Sequence, residues 1–158
     1  MMNSGSTASA HATVSFEFSG LVHISARASV GTGANVVIPG ITIRGTKPKT
    51  LLIRAAGPAL GAFGVPGTLD DPRLELFAGS TKTGENDNWG GDAQIVAVAN
   101  AVGAFALSGA DTKDAVLLVT LPAGAYTAVM SSANGATAGI GLVEVYDVSA
   151  GDAGQRLV

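Results

Sequence analysis

The sequence predicts an all-β fold, a β-sandwich or jelly roll of about eight to ten short strands with one short helix near residues 92–102. Several stretches alternate apolar and polar side chains with the period of two that is typical of a half-buried strand. Glycine accounts for 22 of the 158 residues and divides the chain into short segments. Because a sheet with one apolar face must cover that face, we expect two packed sheets.

The first two predicted strands are amphipathic. Residues 11–18 place Val14, Phe16 and Phe18 on one face and polar side chains on the other. Residues 21–30 alternate in the same way. These patterns predict two consecutive strands, each with one buried face.

The next segment contains two short strands around a turn signal. Residues 36–38 and 41–44 are rich in β-branched side chains, and the pair Pro39-Gly40 between them predicts a turn. Residues 50–55 form a further apolar strand.

Residues 57–67 contain too much glycine for a stable helix or strand, so this segment is predicted to be a loop. We expect Leu60, Phe63 and Val65 to anchor the loop in the core. Residues 73–78 then return to the strand pattern.

Residues 92–102 have the only helical pattern, with Asp92 placed to accept hydrogen bonds as the N-cap. The apolar stripe of this helix consists of Ile95, Val98, Ala99 and Val102.

Three strands close the chain, at residues 114–121, 125–131 and 140–148. Residues 122–124, Pro-Ala-Gly, predict a hairpin turn that joins the first two of them.

These elements suggest one domain at residues 20–150. Residues 1–19 form a Ser/Thr/Ala-rich leader followed by an amphipathic arm strand, and residues 151–158 form a short tail.

Composition restricts the classes of function. Charged residues make up 13% of the chain, about half of the usual ~25%, which suits a surface that packs against copies of itself or against a polymer. The nine basic residues are scattered and the net charge is −3, which argues against a nucleic-acid partner. The apolar runs are too short for a membrane span, and the absence of cysteine rules out disulfides and thiolate metal sites.

Three segments in order carry a family resemblance. They are DPRLELFAGSTKTGENDNW, LLVTLPAGAYTAVM and LVEVYDV, within residues 71–148. Together they resemble the bacterial pre-peptidase C-terminal type of β-sandwich module. The longer run through residues 21–77 is similar to a repeat module of large secreted proteins of environmental bacteria, and the final QRLV resembles the opening of such a repeat. The resemblance implies a noncatalytic module located outside the cell or at its surface.

The stretch ENDNWGGD is the best candidate for a binding loop. Asn86, Asp87, Asn88 and Asp92 offer the oxygen atoms that calcium prefers, so calcium is the candidate cofactor. The alternative, which we favour, is a turn that Asn and Asp stabilise through their own hydrogen bonds while the two glycines adopt positive φ.

Trp89, the only tryptophan, lies inside this stretch. An exposed indole would stack on a sugar ring of an extracellular polysaccharide. Burial against the sheets is the interpretation that we favour.

No pattern indicates catalysis. The two histidines, His11 and His23, lack zinc-ligand spacing, and no nucleophile–His–acid arrangement stands out. Arg54 is expected to be paired within the structure. We therefore predict that the chain is not an enzyme.

The arm strand carries the leading functional hypothesis. Val14, Phe16 and Phe18 require an apolar partner, either in their own sandwich or in a neighbouring copy by β-strand addition. We expect an extracellular structural subunit that self-assembles into a filament, sheath or surface layer, with strand exchange as the contact. The alternative is a monomeric secreted domain that binds carbohydrate or another surface polymer, with calcium in the 86–92 loop.

Overall fold

The computed structural model describes residues 12–17, 23–107, 112–135 and 137–148, with the backbone alone for residues 12–17. Within these residues the chain forms nine strands, one α-helix and one 3₁₀ helix. The strands are β1 Ala12–Glu17, β2 His23–Val30, β3 Val37–Ile43, β4 Lys49–Ala56, β5 Pro72–Ala78, β6 Thr81–Asn86, β7 Ala115–Leu121, β8 Gly124–Ser132 and β9 Gly139–Asp147. The helices are the 3₁₀ helix Pro58–Phe63 and α1 Ala93–Ala101. The predicted all-β class is confirmed.

Two sheets pack face to face. The first has the order β1-β3-β8-β5-β6 and the second has the order β2-β9-β4-β7. Apart from β1, the strands fall into two groups of four, and the chain passes between the sheets at nearly every connection. This is a jelly-roll arrangement, one of the two architectures that the sequence predicts.

β1 is an addition to this arrangement. It lies at the edge of the first sheet and pairs with β3 in parallel, from Ala12 beside Val37 to Glu17 beside Thr42. Every other pairing between named strands is antiparallel.

The core fills the space between the sheets with the inward side chains of both. Leu51 and Ile53 of β4 face Leu74, Leu76 and other side chains of the opposite sheet, and all four are almost completely buried. The alternation of β2 is confirmed, since Ala26, Ala28 and Val30 are buried between exposed neighbours.

The predicted turn at Pro39-Gly40 is wrong, because β3 runs without a break through both residues. The ladder between β3 and β8 has partners at Val37 and again from Gly40 onward, but none at the two residues between. Proline has no N–H to donate, so it interrupts the hydrogen bonds without ending the strand.

The predicted hairpin at residues 122–124 is also wrong. β7 pairs with β4 in the second sheet, whereas β8 pairs with β3 and β5 in the first. The Pro-Ala-Gly segment therefore carries the chain from one sheet to the other. The Tyr126 hydroxyl donates a hydrogen bond to the Pro122 carbonyl at 2.8 Å, which fastens this corner.

Two further elements differ from the sequence prediction. The glycine-rich segment begins with a 3₁₀ helix, Pro58–Phe63, in place of a loop without helix. β6 was missed because its side chains are mostly polar and exposed, which leaves no apolar alternation to detect. Charged side chains are typical of an edge strand, and β6 is the edge of its sheet.

α1 lies outside the sandwich and covers part of the outer face of the β2-β9-β4-β7 sheet. Asp92 is its N-cap, as predicted. Ala99 of the predicted stripe is buried there with Leu52 and Val116, and Ile95, Val98 and Val102 pack against this cluster. No helix among the described residues is long and apolar enough to span a membrane.

The predicted division of the chain, with boundaries near residues 20 and 150, stays a prediction. The leader before residue 12 and the tail at residues 151–158 lie outside the described residues.

Candidate functional site

The predicted assembly arm coincides with β1. Val14 lies beside Pro39 in the backbone register, and Phe16 lies beside Ile41. Phe18 lies outside the described residues. Among the described strands, β1 pairs only with β3, and none of them lies along its second edge.

The predicted calcium loop is held by its own hydrogen bonds. Asn86 accepts a bond from the Val116 N–H at 3.0 Å and donates one to the Asn88 carbonyl at 3.0 Å. Asn88 donates to Asp87 at 3.2 Å, and Gly90 and Gly91 adopt φ of 72° and 70°. These are the features of the turn interpretation.

Asp92 is the N-cap of α1. Its Oδ1 accepts hydrogen bonds from the backbone of Gln94 at 2.7 Å and of Ile95 at 3.3 Å. Among the described residues, no group of three or more His, Asp or Glu side chains is arranged to hold a metal ion. Calcium binding at residues 86–92 stays a prediction.

The side chain of Trp89 points from the loop toward the sheet and is buried, with 8% of the residue's surface exposed. Its indole N–H donates to the Thr112 hydroxyl at 2.9 Å, and its ring packs with Leu52, Ala99 and Tyr146. In this position the ring pins the loop and α1 to the sheet. Stacking on a polysaccharide would require the ring to leave this cluster.

A buried ionic cluster lies on the outer face of the second sheet. Arg54 of β4 and Glu144 of β9 are directly opposite in the register and are 1% and 2% exposed. The Arg54 Nε donates to Glu144 at 2.8 Å, and Nη2 lies 2.7 Å from the same oxygen. The expected pairing of Arg54 is thus confirmed, and no local pattern in the sequence indicates its partner.

The remaining contacts of this cluster come from β2, β9 and the segment after α1. The Tyr146 hydroxyl donates to Glu144 at 2.7 Å, and the His23 ring stacks on Tyr146 with centroids 4.1 Å apart. Arg54 also donates to the Phe105 carbonyl at 2.7 Å and lies 4.2 Å from the centre of the Phe105 ring. The guanidinium therefore holds residues 102–107 over the sheet.

Two pKa values in this cluster are displaced. Burial raises the pKa of Tyr146 well above its usual range, and the hydrogen bond to Glu144 adds to the effect. Burial lowers the pKa of His23 below 6.5, with Glu144 opposing this shift and Arg54 reinforcing it. Arg54 and Glu144 neutralise each other inside the fold, and removal of either side chain would leave the other as a buried charge without a counterion.

A groove of about 410 Å³ opens beside the ionic cluster. Its walls come from β2, β9, the 3₁₀ helix with the residues that follow it, and the segment after α1. They consist of Ser25, Arg27, Leu60, Phe63, Val65, Phe105 and Leu142.

Phe63 is an exposed apolar side chain in the wall of the groove. The sequence predicts that Phe63 enters the core, but 61% of its surface is exposed. The 3₁₀ helix ends at Phe63, and Gly64 adopts a left-handed conformation directly after it. The inward positions of this helix are taken by Ala59 and Leu60, so Phe63 turns outward and meets Phe105 edge to face at 5.0 Å.

Asp114 fixes the 3₁₀ helix that carries Phe63. Its fully buried side chain accepts hydrogen bonds from the backbone of Gly57 at 2.8 Å and of Ala59 at 3.2 Å. Gly57 is required here because a Cβ atom would lie 2.2 Å from the Leu69 carbonyl oxygen. The wall of the groove is thus tied to the start of β7.

Comparison with known proteins gives a likeness of fold. No family model and no curated protein matches the chain. A pre-peptidase C-terminal domain of collagenase from Bacillus anthracis has a TM-score of 0.46 at 9% identity, covering 85% of this chain and 92% of that one. It is of the family that the sequence motifs resemble.

Two other solved structures have similar folds. A periplasmic inhibitor of g-type lysozyme from Aeromonas hydrophila has a TM-score of 0.49 at 15% identity, covering 88% of this chain and 98% of that one. A surface-associated copper-binding protein from Methylomicrobium album BG8 has a TM-score of 0.48 at 11% identity, covering 89% and 100% of the two chains.

Proposed function

We propose that this chain is a noncatalytic structural module of the cell surface or extracellular space that associates with copies of itself by exchanging β1. One observation carries the proposal. The eight strands β2 to β9 form the two four-stranded halves of the jelly roll, and β1 is a ninth strand added at the edge.

The position of β1 makes it the natural element to exchange. It is the first of the described strands and lies at the edge of its sheet, and a single ladder of six residue pairs attaches it to β3. β9, the last of the described strands, lies between β2 and β4 in its sheet. Removing β9 would open the sandwich, whereas removing β1 leaves eight strands in place.

β3 is the acceptor in this proposal. Without β1 it would present an open edge over residues 37–42, which pair with β1 in the register observed. Backbone hydrogen bonds would give affinity to a strand from another copy, and the apolar side chains of Val14 and Phe16 would give specificity. The low proportion of charged residues, 13%, limits the repulsion between copies.

Exchange in one direction produces a head-to-tail contact. If each copy donates β1 to the next, the interface is not self-complementary, and growth continues until a ring closes or a filament extends. A filament, sheath or surface layer is the expected product.

A disulfide test distinguishes exchange from pairing within one chain. The native chain has no cysteine, so Glu17→Cys and Thr42→Cys, which are neighbours in the ladder, can be introduced in separate chains. Adjacent strands lie ~4.8 Å apart, within the ~4.4–6.8 Å that a disulfide spans. After the two variants are mixed, unfolded and refolded together, exchange predicts an oxidised heterodimer on a non-reducing gel.

Two controls test whether a heterodimer on the gel reports strand exchange. Glu17→Cys mixed with Asn100→Cys, on the exposed side of α1, is expected to give no specific heterodimer. The double variant in a single chain reports pairing within the chain. A cross-link confined to the double variant, together with monodisperse monomers by light scattering, would contradict the proposal.

Deletion of residues 1–19 provides the second arm of the test. We expect oligomers or filaments of the full chain, seen by negative-stain electron microscopy, to disappear on deletion while the circular dichroism spectrum stays β-rich. Assemblies that survive the deletion would place the contact elsewhere on the module.

A further inference from the structure

We propose that the groove between β2 and the 3₁₀ helix binds a small organic anion, an apolar body of about two fused rings that carries one negative charge. The site is separate from β1, so this proposal does not depend on exchange of that strand.

The apolar part of the groove selects the body of the ligand. Five of its seven lining residues are apolar, and two of them are the aromatic side chains Phe63 and Phe105 in edge-to-face contact. A flat ring that enters the groove would cover the part of Phe63 that is now exposed. Burial of apolar surface on both partners is the main source of affinity at such sites.

Arg27 selects the charge of the ligand. It lines the groove from β2 and is exposed, and no side-chain hydrogen bond or ion pair joins it to another described residue. Arg54, close by on the same sheet, is neutralised by Glu144. The groove therefore has one unmatched positive charge at its rim, which complements a single carboxylate or sulfonate.

Volume and polarity exclude other classes of ligand. A groove of about 410 Å³ lies at the small end of the ~300–1,000 Å³ range of small-molecule sites. Among the described residues, Ser25 and Arg27 are the only polar side chains that line it, too few to satisfy the hydroxyl groups of a sugar. The buried pair of Arg54 and Glu144 adds no net charge. A ligand with several negative charges would therefore have only Arg27 as a cationic partner among the described lining residues.

The test uses two fluorescent probes that share a body of similar size and differ in charge. 1-Anilinonaphthalene-8-sulfonate carries a sulfonate, and N-phenyl-1-naphthylamine is its uncharged analogue. We expect the anionic probe to bind the full-length folded chain with one site per chain and to bind more tightly than the neutral probe. Titration by fluorescence, with stoichiometry checked by calorimetry, gives both affinities.

Two variants assign the binding to the groove. Arg27→Gln should weaken the anionic probe about tenfold, the range expected for one charge-assisted contact, and change the neutral probe less than about twofold. Phe63→Ser should weaken both probes. Lys47→Gln and Val96→Ser, an exposed cation and an exposed apolar side chain outside the groove, are the matched controls and should change neither.

Several outcomes would overturn the proposal. Equal affinity for the two probes, or an anionic probe that is insensitive to Arg27→Gln, would remove the selection for charge. Insensitivity to Phe63→Ser would place the probe elsewhere. Because both residues are exposed, the variants are expected to keep the parent's urea midpoint. If Phe63→Ser changes that midpoint, Phe63→Leu replaces it as the variant in which the binding of both probes is measured.

Discussion

Asp92 has a capping role at a position where the sequence also suggests a calcium ligand. Its carboxylate accepts two backbone hydrogen bonds at the start of α1. We expect Asp92→Ala to lower the free energy of unfolding by about 1 kcal/mol because these N–H groups lose their acceptor. Asp92→Asn should stay close to the parent, since Asn caps about as well as Asp.

Urea denaturation in calcium and in EDTA separates the two roles of Asp92. The capping role predicts the same ranking of variants in both conditions. A parent chain that calcium stabilises, with the effect lost in Asp92→Asn, would instead support the metal loop.

His23 should make stability depend on pH below about 6.5. Its pKa in the folded chain lies below 6.5 because burial disfavours the charged ring. Between 6.5 and the folded pKa, the unfolded chain therefore binds more protons than the folded chain does. The free energy of unfolding is highest above 6.5, where the ring is neutral in both states, and it falls as the pH falls toward the folded pKa. In urea titrations at several pH values, His23→Gln should flatten this part of the profile, and an unchanged slope would assign the dependence to another group.

Single residues were predictable where local pattern decides their place. Asp92 stands directly before the helical repeat, so its role as a cap follows from sequence. The partner of Arg54 lies 90 residues away in Glu144, and no local signal identifies it. The direction of Phe63 was predicted wrongly for a similar reason, because it depends on how the 3₁₀ helix is held by Asp114, the residue before β7.

At the level of elements, alternation predicted strands well and connections poorly. β2 was predicted because its buried side has apolar side chains at every second position. β6 has no such side, and the ion pairs of Lys82 with Glu75 and Glu85 show how its polar side chains are used. The Pro-Ala-Gly corner has the composition of a hairpin turn, and only the pairing of β7 with β4 reveals that it joins two sheets.

The corner between β7 and β8 can be tested through Tyr126. Tyr126→Phe removes the hydrogen bond to the Pro122 carbonyl and should lower the free energy of unfolding by about 1 kcal/mol. Tyr146→Phe, which removes a hydrogen bond to the charged Glu144, should cost more, about 1.5–3 kcal/mol. Urea denaturation of both variants measures the order, and a reversed order would show that the corner bond is the stronger constraint.

For the whole molecule, the arrangement of charge bears on the contact that we propose between copies. Several charges on the described surface are paired locally, as in the network of Arg73, Glu75, Lys82 and Glu85 on β5 and β6. Such a surface offers little long-range attraction between copies. An exchanged β1 would act through backbone hydrogen bonds and apolar contacts, whose strength does not depend on ionic screening.

Assembly should therefore persist at high salt. Raising the salt concentration from 0.1 M to 1 M shortens the Debye length from ~10 Å to ~3 Å. This screening would weaken a contact that depends on surface charges. We expect static light scattering of the full chain to give the same or a larger average mass at 1 M NaCl, because salt does not weaken strand pairing and the net charge of −3 is better screened. The chain without residues 1–19 is the control and should scatter as a monomer at both concentrations. A mass that falls steeply with salt would show that ion pairs hold the copies together and that β1 stays with its own chain.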